Sequence, residues 1–243
     1  MKYFIFFIAF FISVTVRAQN DRLNDYNSTN WLQTFATVPV NKKWSIHTEY
    51  QWRRTDGLKN WQQSLLRTGV NYKLNEQVIL HAGYAEAETF PYGNYPIAAN
   101  GTFPEHRMYE QLVLRQPLKK FLITHRFRIE QRWLGRVKAG TSREIEDWVF
   151  LHRFRYQFRT QLAVSKNWYA AAADEIFIGA GKNVGVNVFD QNRIFLLAGY
   201  KLNRHVSLEA GYFNQTLQQG RRINNSTVIQ RNNGMVVSSF LQF

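Results

Sequence analysis

Between residues 147 and 159 the side chains alternate: Trp148, Phe150, His152, Phe154, Tyr156 and Phe158 fall on one face of an extended strand, and Arg153, Arg155, Gln157 and Arg159 fall on the other. A soluble sheet could bury such an aromatic face only if enough apolar residues remained elsewhere to cover it. The same alternation runs along nearly the whole chain, so no such cover is left. The pattern predicts an all-β fold: an antiparallel transmembrane β-barrel with aromatics toward lipid and arginines toward a polar interior.

Residues 1–18 carry the marks of a cleaved secretory signal peptide. Lys2 is followed by an apolar run from Tyr3 through Val16, and small residues Val16 and Ala18 precede the expected cut before Gln19. Beyond that point no window reaches the roughly 18 apolar residues that a helical span needs. The expected organisation is a signal peptide over 1–18, a polar segment over 19–29 and one outer-membrane barrel over 30–243. The chain has no Cys, so neither lipid attachment nor disulfides are available. Loss of the two cations Lys2 and Arg17 lowers the formal charge from +14 to +12. Such basicity often signals nucleic acid, but nucleic-acid motifs are absent and the arginines alternate with aromatics. Lipopolysaccharide phosphates, outer-membrane lipid and small anionic solutes are the expected partners. A final strand with Met235, Val237 and Leu241 on one face, ending on Phe243, resembles the signal by which barrels reach their assembly machinery.

Candidate strands are 30–38, 44–54, 61–74, 77–88, 105–116, 120–133, 147–160, 167–179, 192–202, 205–216 and 232–243, most long enough to cross a bilayer at a tilt. Short turns are expected at Asn41 to Lys43, Asn75 and Glu76, Pro117 to Lys119, Ala163 to Lys166 and Asn203. Longer loops are expected at 55–60, 89–104, 134–146, 180–191 and 217–231. Eleven strands leave the chain's direction unbalanced, and even numbers prevail in single-chain bacterial barrels, so twelve strands are expected, with ten as the alternative. A hairpin repeats: Tyr72, Lys73, Leu74, Asn75, Val78, Leu80, Ala82, Gly83 and Tyr84 recur in order as Tyr200, Lys201, Leu202, Asn203, Val206, Leu208, Ala210, Gly211 and Tyr212. Trp31, Trp44, Trp52, Trp61, Trp133, Trp148 and Trp168 all fall near strand ends, as two interfacial aromatic girdles require.

The tetrapeptide His-Arg-Phe-Arg occurs at 125–128 and again at 152–155. An arginine facing lipid near the midplane costs about 2–4 kcal/mol, so these must face inward. Arg126, Arg128, Arg132, Arg153, Arg155 and Arg159, with Glu130, form a predicted lumen stripe. Glu130, Glu175, Glu49 and Glu110 could neutralise it as an internal ladder. Left in surplus, it would attract phosphate or carboxylate, as an anion-preferring pore or a binding site. The same register puts His125 and His152 on the lipid side as cross-strand neighbours, where no Ser joins them. Two lumen triplets, Ser45, His47, Glu49 and His205, Ser207, Glu209, carry the residue types of a hydrolase at spacing two, but at the periplasmic end, away from outer-leaflet lipid. No catalytic set, cofactor loop or metal-ligand spacing is identified. The loop 89–104, with Pro91, Pro96, Pro104, Tyr92, Tyr95 and Phe103, is stiff enough to fold over the mouth.

The run His125-Arg126-Phe127-Arg128-Ile129-Glu130-Gln131-Arg132-Trp133, with Leu151-His152-Arg153-Phe154-Arg155, Asp174-Glu175-Ile176-Phe177, and Asp190-Gln191-Asn192-Arg193 leading into Ala198-Gly199-Tyr200, resembles the outer-membrane proteins grouped as domain of unknown function 2490, DUF2490. The resemblance covers about residues 28 to 243. It implies an exported β-barrel with no established activity and transfers no catalytic residue. Three functions are therefore open: a small pore or binding site for anionic solutes, a lipid-modifying hydrolase, and a non-conducting structural or surface-interaction barrel.

Overall fold

The computed structural model describes residues 22–141 and 143–243, so the expected signal peptide lies outside the described residues. Eleven strands follow in order: β1 (Arg22–Pro39), β2 (Trp44–Thr55), β3 (Asn60–Lys73), β4 (Val78–Thr89), β5 (Phe103–Leu118), β6 (Phe121–Val137), β7 (Ile145–Ala163), β8 (Trp168–Ala180), β9 (Phe189–Lys201), β10 (Val206–Ile223) and β11 (Ser226–Gln242). Each pairs antiparallel with its sequence neighbour, and the sheet closes on itself between β1 and β11. That last pairing is parallel, from Arg22 opposite Thr227 to Thr37 opposite Gln242.

The count among the described residues is eleven, rather than the expected twelve or ten. An odd number of alternating strands leaves the first and last pointing the same way, and the barrel accommodates this with a parallel seam. Residues 22–29, expected in a polar segment ahead of the barrel, form the first half of β1. At the seam Gly234 comes so close to β1 that a β-carbon there would overlap the Thr29 carbonyl oxygen.

The short turns are built by side chains that replace missing backbone acceptors. The Asn41 Oδ1 atom accepts from Lys43 N and Trp44 N, both at 2.9 Å. Asn75 does the same for Gln77 and Val78, and Asn203 for His205 and Val206. The last two turns are the repeated hairpins seen in the sequence, now β3–β4 and β9–β10. At the opposite rim the expected loop 217–231 is mostly strand. β10 and β11 extend to a two-residue turn at Asn224 and Asn225, whose φ values of 48° and 64° suit the tight hairpin turn that asparagine tolerates. This makes the β1–β11–β10 wall tall on the long-loop side.

The alternation holds. Trp148, Phe154 and Phe158 are exposed on the outer wall, and Arg153 and Arg155 are buried inside. Leu66, Phe127, Ile129, Ile194, Leu196, Met235 and Val237 extend the apolar outer surface around the barrel. Aromatic pairs mark both ends of that surface. Trp44 with Tyr72 (4.7 Å between ring centres) and Trp168 with Tyr200 (4.8 Å) lie near the short turns, and Trp52 with Trp61 (5.9 Å) and Trp133 with Phe150 (5.1 Å) lie near the long loops. Three expectations fail here for reasons of register. Trp31 belongs to no girdle: its odd position on β1 points it inward, where it is 1% exposed and packs on Phe213 and Val236. Glu110 faces outward and accepts a hydrogen bond from the Gln131 amide at 3.1 Å, so it neutralises no lumen arginine. His125 pairs across from Phe158 and His152 from Gln131, so the two histidines are not neighbours.

Candidate functional site: an arginine-lined chamber under a pinned loop

The two His-Arg-Phe-Arg segments lie on β6 and β7, whose register sets Arg128 opposite Arg155 and Glu130 opposite Arg153. All four side chains point inward and are buried. Like charges opposed across a ladder repel, so the arrangement depends on carboxylates between them. Glu130, fully buried, receives Arg153 Nε at 2.7 Å and Arg155 Nη1 at 2.6 Å. Glu175 on β8 receives Arg155 Nη2 at 2.7 Å and Arg126 Nη2 at 2.9 Å. Asp190 receives Arg153 Nη1 at 2.8 Å. Glu105 on β5 holds both Arg107 (2.6 Å) and Arg132 (2.5 Å), and Glu49 holds Arg67. Nearer the short turns, Arg159 pairs with Glu209, which also accepts from the Tyr169 hydroxyl at 2.9 Å.

Every arginine of the predicted stripe thus faces the lumen, with Glu130 among them, and Glu130 and Glu175 pair with stripe arginines as the ladder expectation has it. Glu49 also faces inward, but its arginine partner is Arg67, outside the stripe. The pairing is incomplete. Around the middle of the lumen stand Arg53, Arg67, Arg107, Arg126, Arg128, Arg132, Arg153, Arg155 and Arg193, against Glu49, Glu105, Glu130, Glu175 and Asp190. Nine cations face five anions. Two arginines have neutral partners instead: Arg53 donates to Gln51 and Gln63, and Arg193 to Gln191. Arg128 donates to Gln111 at 2.9 and 2.6 Å and reaches Glu130 only at 3.6 Å. Aromatic rings take up part of the charge. Arg153, Arg155 and Arg193 lie 5.2, 4.3 and 4.6 Å from the Phe177 ring centre, and Arg128 lies 4.4 Å from that of Tyr109.

Above this layer, toward the long-loop rim, is a partly open cavity. Its walls carry seven arginines and two carboxylates, with Gln62, Gln191 and Gln215 among the neutral residues. Tyr92, Ile97 and Phe103 from the β4–β5 connection line its upper part. That connection, residues 90–102, crosses the mouth and is pinned to the tall wall opposite. Asp25 accepts from Asn94 N at 3.1 Å, Tyr95 N at 3.2 Å and the Gln230 amide at 3.1 Å. The Tyr92 hydroxyl donates to Gln230 at 3.2 Å and accepts from Asn232 at 3.0 Å, and Arg221 donates to the Pro96 carbonyl at 2.6 Å. Burial raises the pKa of the Tyr92 hydroxyl above its ordinary value, so it remains a donor at neutral pH. Asp25→Ala removes three of these contacts. The expected outcome is faster chymotrypsin cleavage after Tyr92 with the barrel intact, and an unchanged rate would show that Asp25 is not the latch.

Neither hydrolase-like triplet is assembled in full. His47 Nε2 lies 3.8 Å from Glu49, but the Ser45 hydroxyl accepts from Asn71 at 3.1 Å, and His47 Nδ1 contacts the Thr37 hydroxyl at 3.3 Å rather than Ser45. Arg204 donates to His205 Nε2 at 2.8 Å, and Glu209 is held by Arg159 and Tyr169. Sequence reasoning missed Arg53, Arg193, Trp31, Glu105 and Asp190. The inward alternation of Glu49, Gln51 and Arg53 was available as a signal. Asp190 and Gln191 fall within the expected loop 180–191, whereas β9 begins at Phe189.

The chain matches the family model described as Protein of unknown function (DUF2490) over residues 28–227. It is 25% identical over 177 residues, 69% of each chain, to an uncharacterized protein of Methylorubrum extorquens. Among solved structures it resembles the NanC porin with a TM-score of 0.50 and 13% identity, over 88% of this chain and 98% of that one, a likeness of fold.

Proposed function

The chain belongs to the DUF2490 family, and from that premise we propose that it is an outer-membrane barrel that takes small anionic solutes into its arginine-lined lumen. The membrane part rests on the outer wall. An exposed outer surface rich in Leu, Ile, Val, Met and Phe is far larger than a soluble monomer tolerates, and aromatic pairs border it at both rims. The porin-like fold and the predicted signal peptide agree with that placement, and lipid, lipopolysaccharide and the assembly machinery acting on the Phe243 strand are the partners it implies. The solute part rests on one observation: nine arginines against five carboxylates around the middle of the lumen. Unneutralised guanidinium groups in a partly dehydrated chamber favour an incoming carboxylate or phosphate.

Equilibrium dialysis of the purified barrel against a labelled small anion tests this. Saturable retention is expected, weakening as salt screens the chamber. Equal retention of a cation of the same size would count against it. A second possibility, a barrel that holds its solute without passing it, is favoured by the side chains that fill the cross-section below the chamber. There Trp31 and Phe213 pack with ring centres 4.0 Å apart, and Phe177 is fully buried. Bilayer currents separate capture from passage.

A further inference from the structure

Two of the unneutralised arginines share one indole. The guanidinium carbon of Arg53 lies 4.1 Å from the Trp31 ring centre and that of Arg193 lies 5.1 Å from it. They come from β2 and β9, on opposite sides of the seam strand, and both line the chamber. Each is more than nine-tenths buried, and among the described residues neither has a carboxylate within ion-pair distance. A guanidinium carries five N–H donors. Arg53 uses three, toward the neutral amides of Gln51 and Gln63. Arg193 uses one, from Nε to Gln191 at 3.1 Å. Its two terminal nitrogens make no protein hydrogen bond among the described residues, and they are not sealed from the chamber. The ring beneath is fixed. Trp31 Nε1 donates to Gln62 at 2.8 Å, and the Gln62 carbonyl accepts from Phe90 N at 3.0 Å, at the root of the mouth-crossing loop.

We propose that Arg53 and Arg193, mounted on Trp31, form a two-guanidinium clamp for a small doubly charged anion, a tetrahedral oxyanion or a dicarboxylate. This rests on the chamber reading above and deepens it. Two buried positive charges without acids repel each other and are poorly solvated. One dianion neutralises both at once, whereas a monoanion leaves one uncompensated. Free N–H groups on both forks supply the hydrogen bonds. The arginines of the stripe cannot offer as much, since Arg153 and Arg155 already share Glu130.

The test titrates the purified barrel at low ionic strength with sulfate and succinate, and with methanesulfonate and acetate as their singly charged counterparts. Calorimetry is read beside tryptophan fluorescence. At least one dianion is expected to bind about tenfold or more tightly than its monoanion, and Arg53→Gln and Arg193→Gln each to weaken it by about tenfold. The tighter of the two dianions identifies the source of the charge. Arg136→Gln, at an exposed position that pairs with Asp147 and does not line the chamber, is expected to leave the affinity unchanged. Should either glutamine variant fail to fold, Arg53→Lys and Arg193→Lys keep the charge without the fork, and are expected to weaken binding too. Dianion binding that persists in the clamp variants, or no preference for dianions, overturns the clamp while leaving the chamber in place. A wild-type protein that binds none of the four anions overturns the chamber itself.

Discussion

Glu130→Ala is expected to destabilise the barrel by about 3–5 kcal/mol, measured as urea unfolding followed by tryptophan fluorescence. Glu130 is fully buried and receives hydrogen bonds from Arg153 and Arg155. Its removal leaves both with one carboxylate each, Asp190 and Glu175, and raises the cation surplus at the place where Arg128 already faces Arg155. The penalty comes mainly from uncompensated buried charge rather than from lost packing, and that has a signature. Glu130→Gln, which keeps the size but not the charge, should be nearly as harmful. Adding Arg155→Gln to Glu130→Gln should recover part of the loss, so that the double variant is more stable than the sum of the single effects. Strict additivity would mean that the charges are screened by water and that the network is not a dry one.

Gly234→Ala is expected to impair closure of the barrel, seen as loss of the compact, heat-modifiable band on electrophoresis. The reason is local. A β-carbon at 234 would overlap the Thr29 carbonyl oxygen, which is backbone and cannot rotate away. Ladder pairing between β1 and β11 already skips there, from Ser28 opposite Asn233 to Trp31 opposite Val236. A parallel seam is the slightly weaker kind of pairing, and here it must close the whole sheet. Overpacking costs typically about 1–3 kcal/mol, and Gly234→Val should exceed Gly234→Ala. Alanine at Gly220, where an added β-carbon meets only Asn187 at 3.7 Å, is the matched control and should be tolerated.

The barrel was legible because period-two patterning is a direct physical demand: each strand must be apolar toward one side and polar toward the other. That demand placed Arg126, Arg128, Arg153 and Arg155 inside without any knowledge of partners. It could not fix what depends on pairing across strands. Glu110 and Glu105 differ by odd spacing, so a single register choice exchanged an inward carboxylate for an outward one. Trp31 looked like a girdle residue because an indole suits both a membrane interface and a cation-capped core, and sequence position cannot separate the two. The seam was hidden for a different reason. Parallel closure is a property of the whole sheet, and no local residue announces it. The mouth-crossing loop was recognised as stiff from its prolines, but its latch, Asp25, lies far away in sequence on β1.

The proposed entry of anions into the lumen is tested most directly by the reversal potential of the barrel in a planar bilayer under a potassium chloride gradient, using wild type and the Asp25→Ala protein with the loop unpinned. The expected result is a potential of the sign set by chloride, larger currents when the loop is released, and block by the dianion that binds the chamber. A potential of the potassium sign, or silence in both proteins together with no bound anion, would contradict it.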